Sequence, residues 1–352
     1  MKIVTIVGTR PQLIKSSALS NLIKKQKDIN EIMIHTGQHY DPMMSKIFFK
    51  DLNIPKPKYN LPIKSNYHGD MTGKMIAGIE KILIKEKPNY SIVYGDTNST
   101  LAGAIASKKL NIPVIHIEAG LRSYNKKMPE EVNRILTDHC SSILFTPSKL
   151  SKNNLINEGF KKNSIINVGD IMYDVFLNKL NKNKKLKIRY DILVTIHRAE
   201  NTDFKSRIFN IIKNLNLLSN HYSIIFPIHP RTIKMMKKFQ IFKLLSSKIK
   251  LLEPISYHES MHYLKHAKLL ITDSGGMQKE AFYSKTQTLT IRDETEWPET
   301  IILGWNRLVK PKFDLIYKYT NKYINFKGRH TKPYGVGKSA NLILRKIQTL
   351  GK

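Results

Sequence analysis

The chain has 352 residues, 41% of them hydrophobic, enough for one large globular domain or two of ordinary size. Lysine and arginine number 59 against 27 aspartate and glutamate, a formal charge of +32, yet the 48 lysines are scattered among Asn and Ile along the whole length. That scatter argues for a solvated lysine surface that attracts anionic ligands, and against a nucleic-acid or membrane-surface protein.

The opening MKIVTIVGTR reads as a first strand, since its apolar run meets a glycine turn too soon for a signal-peptide core. Further strand-like runs follow at 31–37, 90–96, 112–118 and 142–148, alternating with stretches of helical apolar spacing at 13–26 and 72–87. The lysine- and asparagine-rich segment 177–190 lacks strand alternation and reads as part of a link. A second series of strand-like runs lies at 191–197, 222–229, 249–255, 267–276 and 286–293, and a last helical stretch spans 337–350. Strand and helix alternating in this way predict an α/β fold of two Rossmann-like doubly wound domains facing a cleft. The expected division is 1–168, 169–336 and a C-terminal helix at 337–352 returning to the first domain. No apolar run approaches the ~18 residues of a membrane span, and the single cysteine, Cys140, excludes an internal disulfide and fits a reducing, cytoplasmic compartment.

In GTRPQLIK (8–15) Gly8 permits a tight turn, Pro11 suits the start of a helix, and Arg10 and Lys15 are placed to meet phosphate or a sugar oxygen. In TDSGGMQKEA (272–281) Ser274, Gly275 and Gly276 would offer backbone N–H groups at a helix start to a diphosphate, with Glu280 one turn on for ribose hydroxyls. The plain alternatives are a structural turn and an ordinary helix cap.

Residues 116–139, HIEAGLRSYNKKMPEEVNRILTDH, concentrate three glutamates, two arginines and two histidines in an otherwise basic chain. Asp96, Glu118 and Glu130 fall at strand ends or in the loops after them, and together with His197 they would form a set of general acids and bases. The competing reading is a salt-bridge network with Arg122, Arg134 and Arg198. HESMH (258–262) matches the H-E-x-x-H zinc pattern, but it lies where a Rossmann unit needs its connecting helix.

The ordered motifs GTRPQLIK, TGQHYD, YGDTNSTLAGAIAS, HIEAGLRS, MPEEVNRILTDH, VTIHRAEN, TDSGGMQKEA and RDETEWPE together resemble the non-hydrolysing UDP-N-acetylglucosamine 2-epimerases, nearly end to end. The resemblance implies the glycosyltransferase-B arrangement, a homodimer, no metal or redox cofactor, and inversion at sugar C2 by elimination and readdition of UDP. It implies Asp96, Glu118 and Glu130 as the acid/base set and His197 near the diphosphate or leaving oxygen. Arg10, Lys15, Ser274, Gly275, Gly276 and Glu280 would hold UDP, and Gln38 and His39 resemble part of a second nucleotide-sugar site. Three positions depart from the common pattern: Gln12 in place of Glu, Trp297 in place of Arg, and Met71 at a polar position of that second site. RPQLIK, HGDMTGKM, GGMQKEAFY and TEWPE look closer to the branch acting on UDP-2,3-diacetamido-2,3-dideoxy-glucuronate, for which an indole face at Trp297 would pack the extra acetamido group. A glycosyltransferase of the same fold is the alternative from another class.

Overall fold

The computed structural model describes residues 1–38, 54–63, 65, 67–180 and 190–350. The chain divides into two compact units, Met1–Leu177 together with Lys332–Lys352, and Asn178–Thr331.

The first unit holds β1 (Lys2–Val7), β2 (Asn30–His35), β3 (Tyr59–Asn60), β4 (Tyr90–Tyr94), β5 (Val114–Ile117), β6 (Ile143–Thr146) and β7 (Ile165–Asn167). They form one parallel sheet in the order β3-β2-β1-β4-β5-β6-β7. Helices cover both faces, so the central strands read as continuous apolar runs; in β1 Ile3, Val4, Ile6 and Val7 are all inaccessible to solvent. The C-terminal helix Ser339–Leu350 packs against helix Arg10–Ile23. Asp174 accepts from the amides of Ser339 and Ala340 at its start, and Gln348 donates to Gln26 Oε1 near its end, at 3.0 Å.

The second unit holds β8 (Ile192–Thr195), β9 (Ile224–Pro227), β10 (Ile249–Leu252), β11 (Leu269–Thr272), β12 (Gln287–Thr290) and β13 (Asn306–Leu308), again all parallel, in the order β10-β9-β8-β11-β12-β13. Its core is built from Ile, Leu and Phe of these strands and the apolar stripe of helix Lys205–Leu218. Both sheets are therefore Rossmann-like and reverse direction once, between β1 and β4 in the first and between β8 and β11 in the second. In open α/β sheets ligands bind beyond the carboxyl ends of the strands at such a reversal.

Each of the ten strand-like runs in the sequence holds a strand, shorter than the run itself. The runs overshoot because their last residues already turn: Gly95 and Glu118 sit at φ +66° and +76°, outside extended geometry. The sequence reading does not include β3, β7 and β13, edge strands of two or three residues. HESMH lies on helix Tyr257–His266, where Glu259 forms a capping box: the Ser256 amide donates to its carboxylate at 2.9 Å, and its own amide donates to Ser256 Oγ at 3.2 Å. Among the described residues no helix is long and apolar enough to cross a membrane.

Candidate active site

The loop after β1 runs into helix Arg10–Ile23, whose first turn carries Arg10 and whose second carries Lys15. Gly8 has no room for a side chain: a Cβ there would stand 2.0 Å from Thr36 Oγ1 and 2.1 Å from Ser99 Oγ. Gln12, the departure from the common motif, is buried and fully engaged. Its Oε1 accepts from the Gly8 amide at 2.8 Å, and its Nε2 donates to the Tyr94 carbonyl at 2.9 Å and to Thr100 Oγ1 at 2.8 Å. An uncharged amide fits this place because it faces donors at one end and acceptors at the other.

Glu118 follows β5 in left-handed geometry, φ +76°, uncommon for a residue with a side chain. The turn is held because the amides of Glu118 and Ala119 both donate to the Phe145 carbonyl, at 3.1 and 3.0 Å. It aims the carboxylate at Lys15, whose Nζ lies 2.6 Å from Oε1, and only 6% of Glu118 is exposed. Gly95 borders the pair: a Cβ there would stand 3.2 Å from Lys15 Nζ and 3.6 Å from Glu118 Oε1. Asp96, the next residue, is ion-paired through Oδ2 to Arg134 Nη2 at 2.5 Å, and its carbonyl accepts from Asn133 at 3.0 Å.

Helix Pro129–Cys140 gives adjacent glutamates opposite surroundings. Glu130 is half-buried and makes no hydrogen bond or ion pair among the described residues. Glu131 is buried, pairs with Arg134, and accepts from the Ser123 amide and hydroxyl and from the Tyr124 amide. Burial opposes its charge, but the Ser123 amide, Arg134 and the Tyr124 amide together outweigh it and hold the carboxyl below the usual range. Of the salt-bridge network expected as the alternative, Arg134 does take Asp96. Arg122 instead pairs with Asp138 at 2.8 Å and Glu158 at 2.6 Å.

In the second unit, Asp273 at the end of β11 is fully buried and accepts from the amides of His197 and Arg198 at 3.0 Å each, and from Asn201 at 3.1 Å. It thereby ties the loop after β8 to the loop after β11. The His197 ring keeps 39% of its side chain exposed, with Nδ1 3.4 Å from Asp273 Oδ1. Burial lowers its pKa, against the opposing pull of Asp273.

Ser274 caps helix Gly275–Ser284, and Gly275 and Gly276 open it. Gly276 is exposed, with nothing within 4 Å of where its Cβ would stand; Gly275 is buried under Glu296, whose Oε1 would lie 2.4 Å from a Cβ, with Arg198 Nη2 at 3.7 Å. A carboxylate of the chain itself therefore covers part of this helix start. Glu280 is buried in the helix body.

Gln38 stands at the start of helix Asn98–Lys109, where its Oε1 accepts from the Ser99 amide at 3.1 Å and hydroxyl at 2.8 Å. His39 lies outside the described residues. Trp297 is 3% exposed, with the Lys279 ammonium 3.8 Å from its ring centroid, so the indole face read from the sequence as packing an acetamido group lies in the interior with a cation over the ring. Glu131, Asp273 and His116 are the ordering groups that sequence reasoning passed over. Signals for two of them were present, Glu131 three residues before Arg134 and Asp273 directly before the SGG turn; His116 lies on β5 two residues before Glu118, but Glu118 at φ +76° has already left the strand, so alternation does not link the two.

The UDP-N-acetylglucosamine 2-epimerase family model matches residues 21–348. A UDP-N-acetylglucosamine 2-epimerase homolog of Methanococcus maripaludis is 49% identical, over 99% of this chain and 100% of its own length. The UDP-2,3-diacetamido-2,3-dideoxy-D-glucuronate 2-epimerase of Pseudomonas aeruginosa is 47% identical, over 90% of both. The crystal structure of the Methanocaldococcus jannaschii UDP-GlcNAc 2-epimerase in complex with UDP-GlcNAc and UDP superposes with a TM-score of 0.93 at 45% identity, covering 99% of this chain and 100% of that one. The strand-end carboxylates thus stand in a chain similar to these enzymes over nearly its whole length, and the chain belongs to the UDP-N-acetylglucosamine 2-epimerase family.

Proposed function

We propose that this enzyme interconverts UDP-N-acetylglucosamine and its C2 epimer, UDP-N-acetylmannosamine, supplying precursors for surface polysaccharide. A base removes the C2 proton as the C1–O bond to UDP breaks, leaving a glycal and free UDP. UDP then adds back to C1 while a proton returns to the opposite face of C2. Asp96, Glu118 and Glu130 form the acid/base set, and His197 stands near the diphosphate or the leaving oxygen. Arg10, Lys15, Ser274, Gly275, Gly276 and Glu280 hold UDP, and Gln38 and His39 belong to a second nucleotide-sugar site.

The observation that carries this reading is the grouping at the ends of β4 and β5: Glu118 buried against Lys15, with Asp96 next to the glycine that borders the pair. A homodimer in the cytoplasm completes the reading. Val132 and Leu136, 42% and 44% exposed and one turn apart on helix Pro129–Cys140, support an apolar contact with a second copy.

The test is incubation of purified protein with UDP-N-acetylglucosamine alone. An equilibrium mixture of the two epimers, without accumulating UDP, is the expected result. Absence of epimer, or turnover only when a sugar acceptor is added, would contradict it and favour a transferase.

The similarity to the Pseudomonas aeruginosa enzyme, 47% against 49% for the Methanococcus homolog, supports the diacetamido-glucuronate as a second substrate reading. Comparing kcat/KM for the two nucleotide sugars decides between them.

A further inference from the structure

His116 lies on β5, inaccessible to solvent, and both ring nitrogens are engaged. Nδ1 is 2.7 Å from Asp138 Oδ1, and Nε2 is 2.8 Å from the Gly95 carbonyl oxygen. A carbonyl oxygen only accepts, so Nε2 is the donor in the second contact. The Asp138 end is the anchor: its Oδ2 accepts from the Gly120 amide at 3.2 Å and pairs with Arg122 at 2.8 Å, and neither group moves without breaking buried bonds. The Gly95 end is the one that reaches the candidate site. Gly95 borders the Lys15–Glu118 pair and precedes Asp96, and its amide already donates to the Ile117 carbonyl at 3.0 Å. The β4 turn is thus tied to β5 through backbone at one atom and through the His116 ring at another.

On the epimerase reading, we propose that His116 is a positioning residue: its Nε2 clamps the Gly95 carbonyl and so fixes Asp96 and Glu118 relative to each other. It touches no substrate. Its effect is on the placement of groups that do, and misplacement by about 1 Å is enough to lower turnover on the order of 10²-fold.

Two substitutions separate the ends of the ring. In His116→Gln the side-chain amide reaches the Nε2 position and keeps a donor to Gly95 while losing Asp138. In His116→Asn the amide stops at the Nδ1 position, keeping Asp138 and losing Gly95. Both variants are compared with wild type for kcat, KM, UDP affinity and melting temperature. The expected result is a large fall in kcat for the Asn variant at unchanged UDP affinity, with most turnover retained by the Gln variant even if it melts earlier. Equal losses in both, or full kcat per folded molecule in the Asn variant, would overturn the proposal. Should the Asn variant fail to fold, the Gln variant carries the test alone: turnover near wild type supports the clamp, and its loss with UDP affinity intact refutes it. Inactive wild-type enzyme would instead count against the epimerase reading, which keeps the two failures apart.

Discussion

At the scale of single residues, neighbouring carboxylates in one motif differ in what they do. Glu130 is half-buried and has no hydrogen-bond or ion-pair partner among the described residues, whereas Glu131 holds a loop and an arginine in the interior. Removing Glu131 takes one of two carboxylates from the buried Arg134, which keeps Asp96, and strips the Ser123 and Tyr124 amides of their acceptor, so Glu131→Ala is expected to cost about 3 kcal/mol in urea unfolding. Glu130→Gln is expected to leave stability nearly unchanged and reduce turnover; if Glu130 loses stability and Glu131 does not, the assignment is reversed. Glu118→Gln and Asp96→Asn should keep the fold and most UDP affinity while kcat drops roughly 10²–10⁴-fold, the usual share of acid–base catalysis. Near-normal turnover in either well-folded variant would demote that residue to a structural partner. The sequence displayed which carboxylates stand at strand ends, but it did not show that Lys15 faces Glu118 from 103 positions away, since that contact depends on the order of strands in the sheet.

At the scale of elements, turns and edges carry the constraints that periodicity does not reveal. Gly8 is fixed by Thr36 and Ser99, which come from the ends of two other segments. Gly8→Ala is expected to destabilise the first unit by about 1–3 kcal/mol, the range for forced overpacking, as read by thermal or urea unfolding. An unchanged midpoint would show that the loop yields. Strand β3 has only two residues and no alternation to read. It is held from outside by Glu86 at the end of helix His68–Glu86, whose Oε1 lies 2.6 Å from both Lys58 Nζ and Tyr59 Oη. Those two hydrogen bonds, with Lys58 first, draw the Glu86 pKa down from 4.5 to about 2. A carboxyl whose pKa is lower in the folded than in the unfolded chain adds stability above pH 4.5 and loses it as pH falls toward about 2. Glu86→Gln should therefore be less stable than wild type at neutral pH, with the gap closing across that acidic window. A gap independent of pH would remove the ionised carboxylate from the explanation.

At the scale of the whole molecule, the alternation of strands and helices was sufficient to predict two parallel sheets, because strands buried on both faces appear as unbroken apolar runs. The direction reversals between β1 and β4 and between β8 and β11 were not visible in the chain, although both follow the same order. At Trp297 the sequence suggested an apolar face for packing a sugar substituent, and folding places the ring in the interior against Lys279. The charge of +32 fits attraction for anionic nucleotide sugars without specifying one. The central claim is that a proton leaves C2 and another returns from solvent while UDP departs and readds. Its most direct test is conversion of UDP-N-acetylglucosamine in deuterium oxide, followed by NMR of the epimer formed. The account predicts one solvent deuterium at C2 of the product; epimer carrying the original hydrogen at C2 would contradict it.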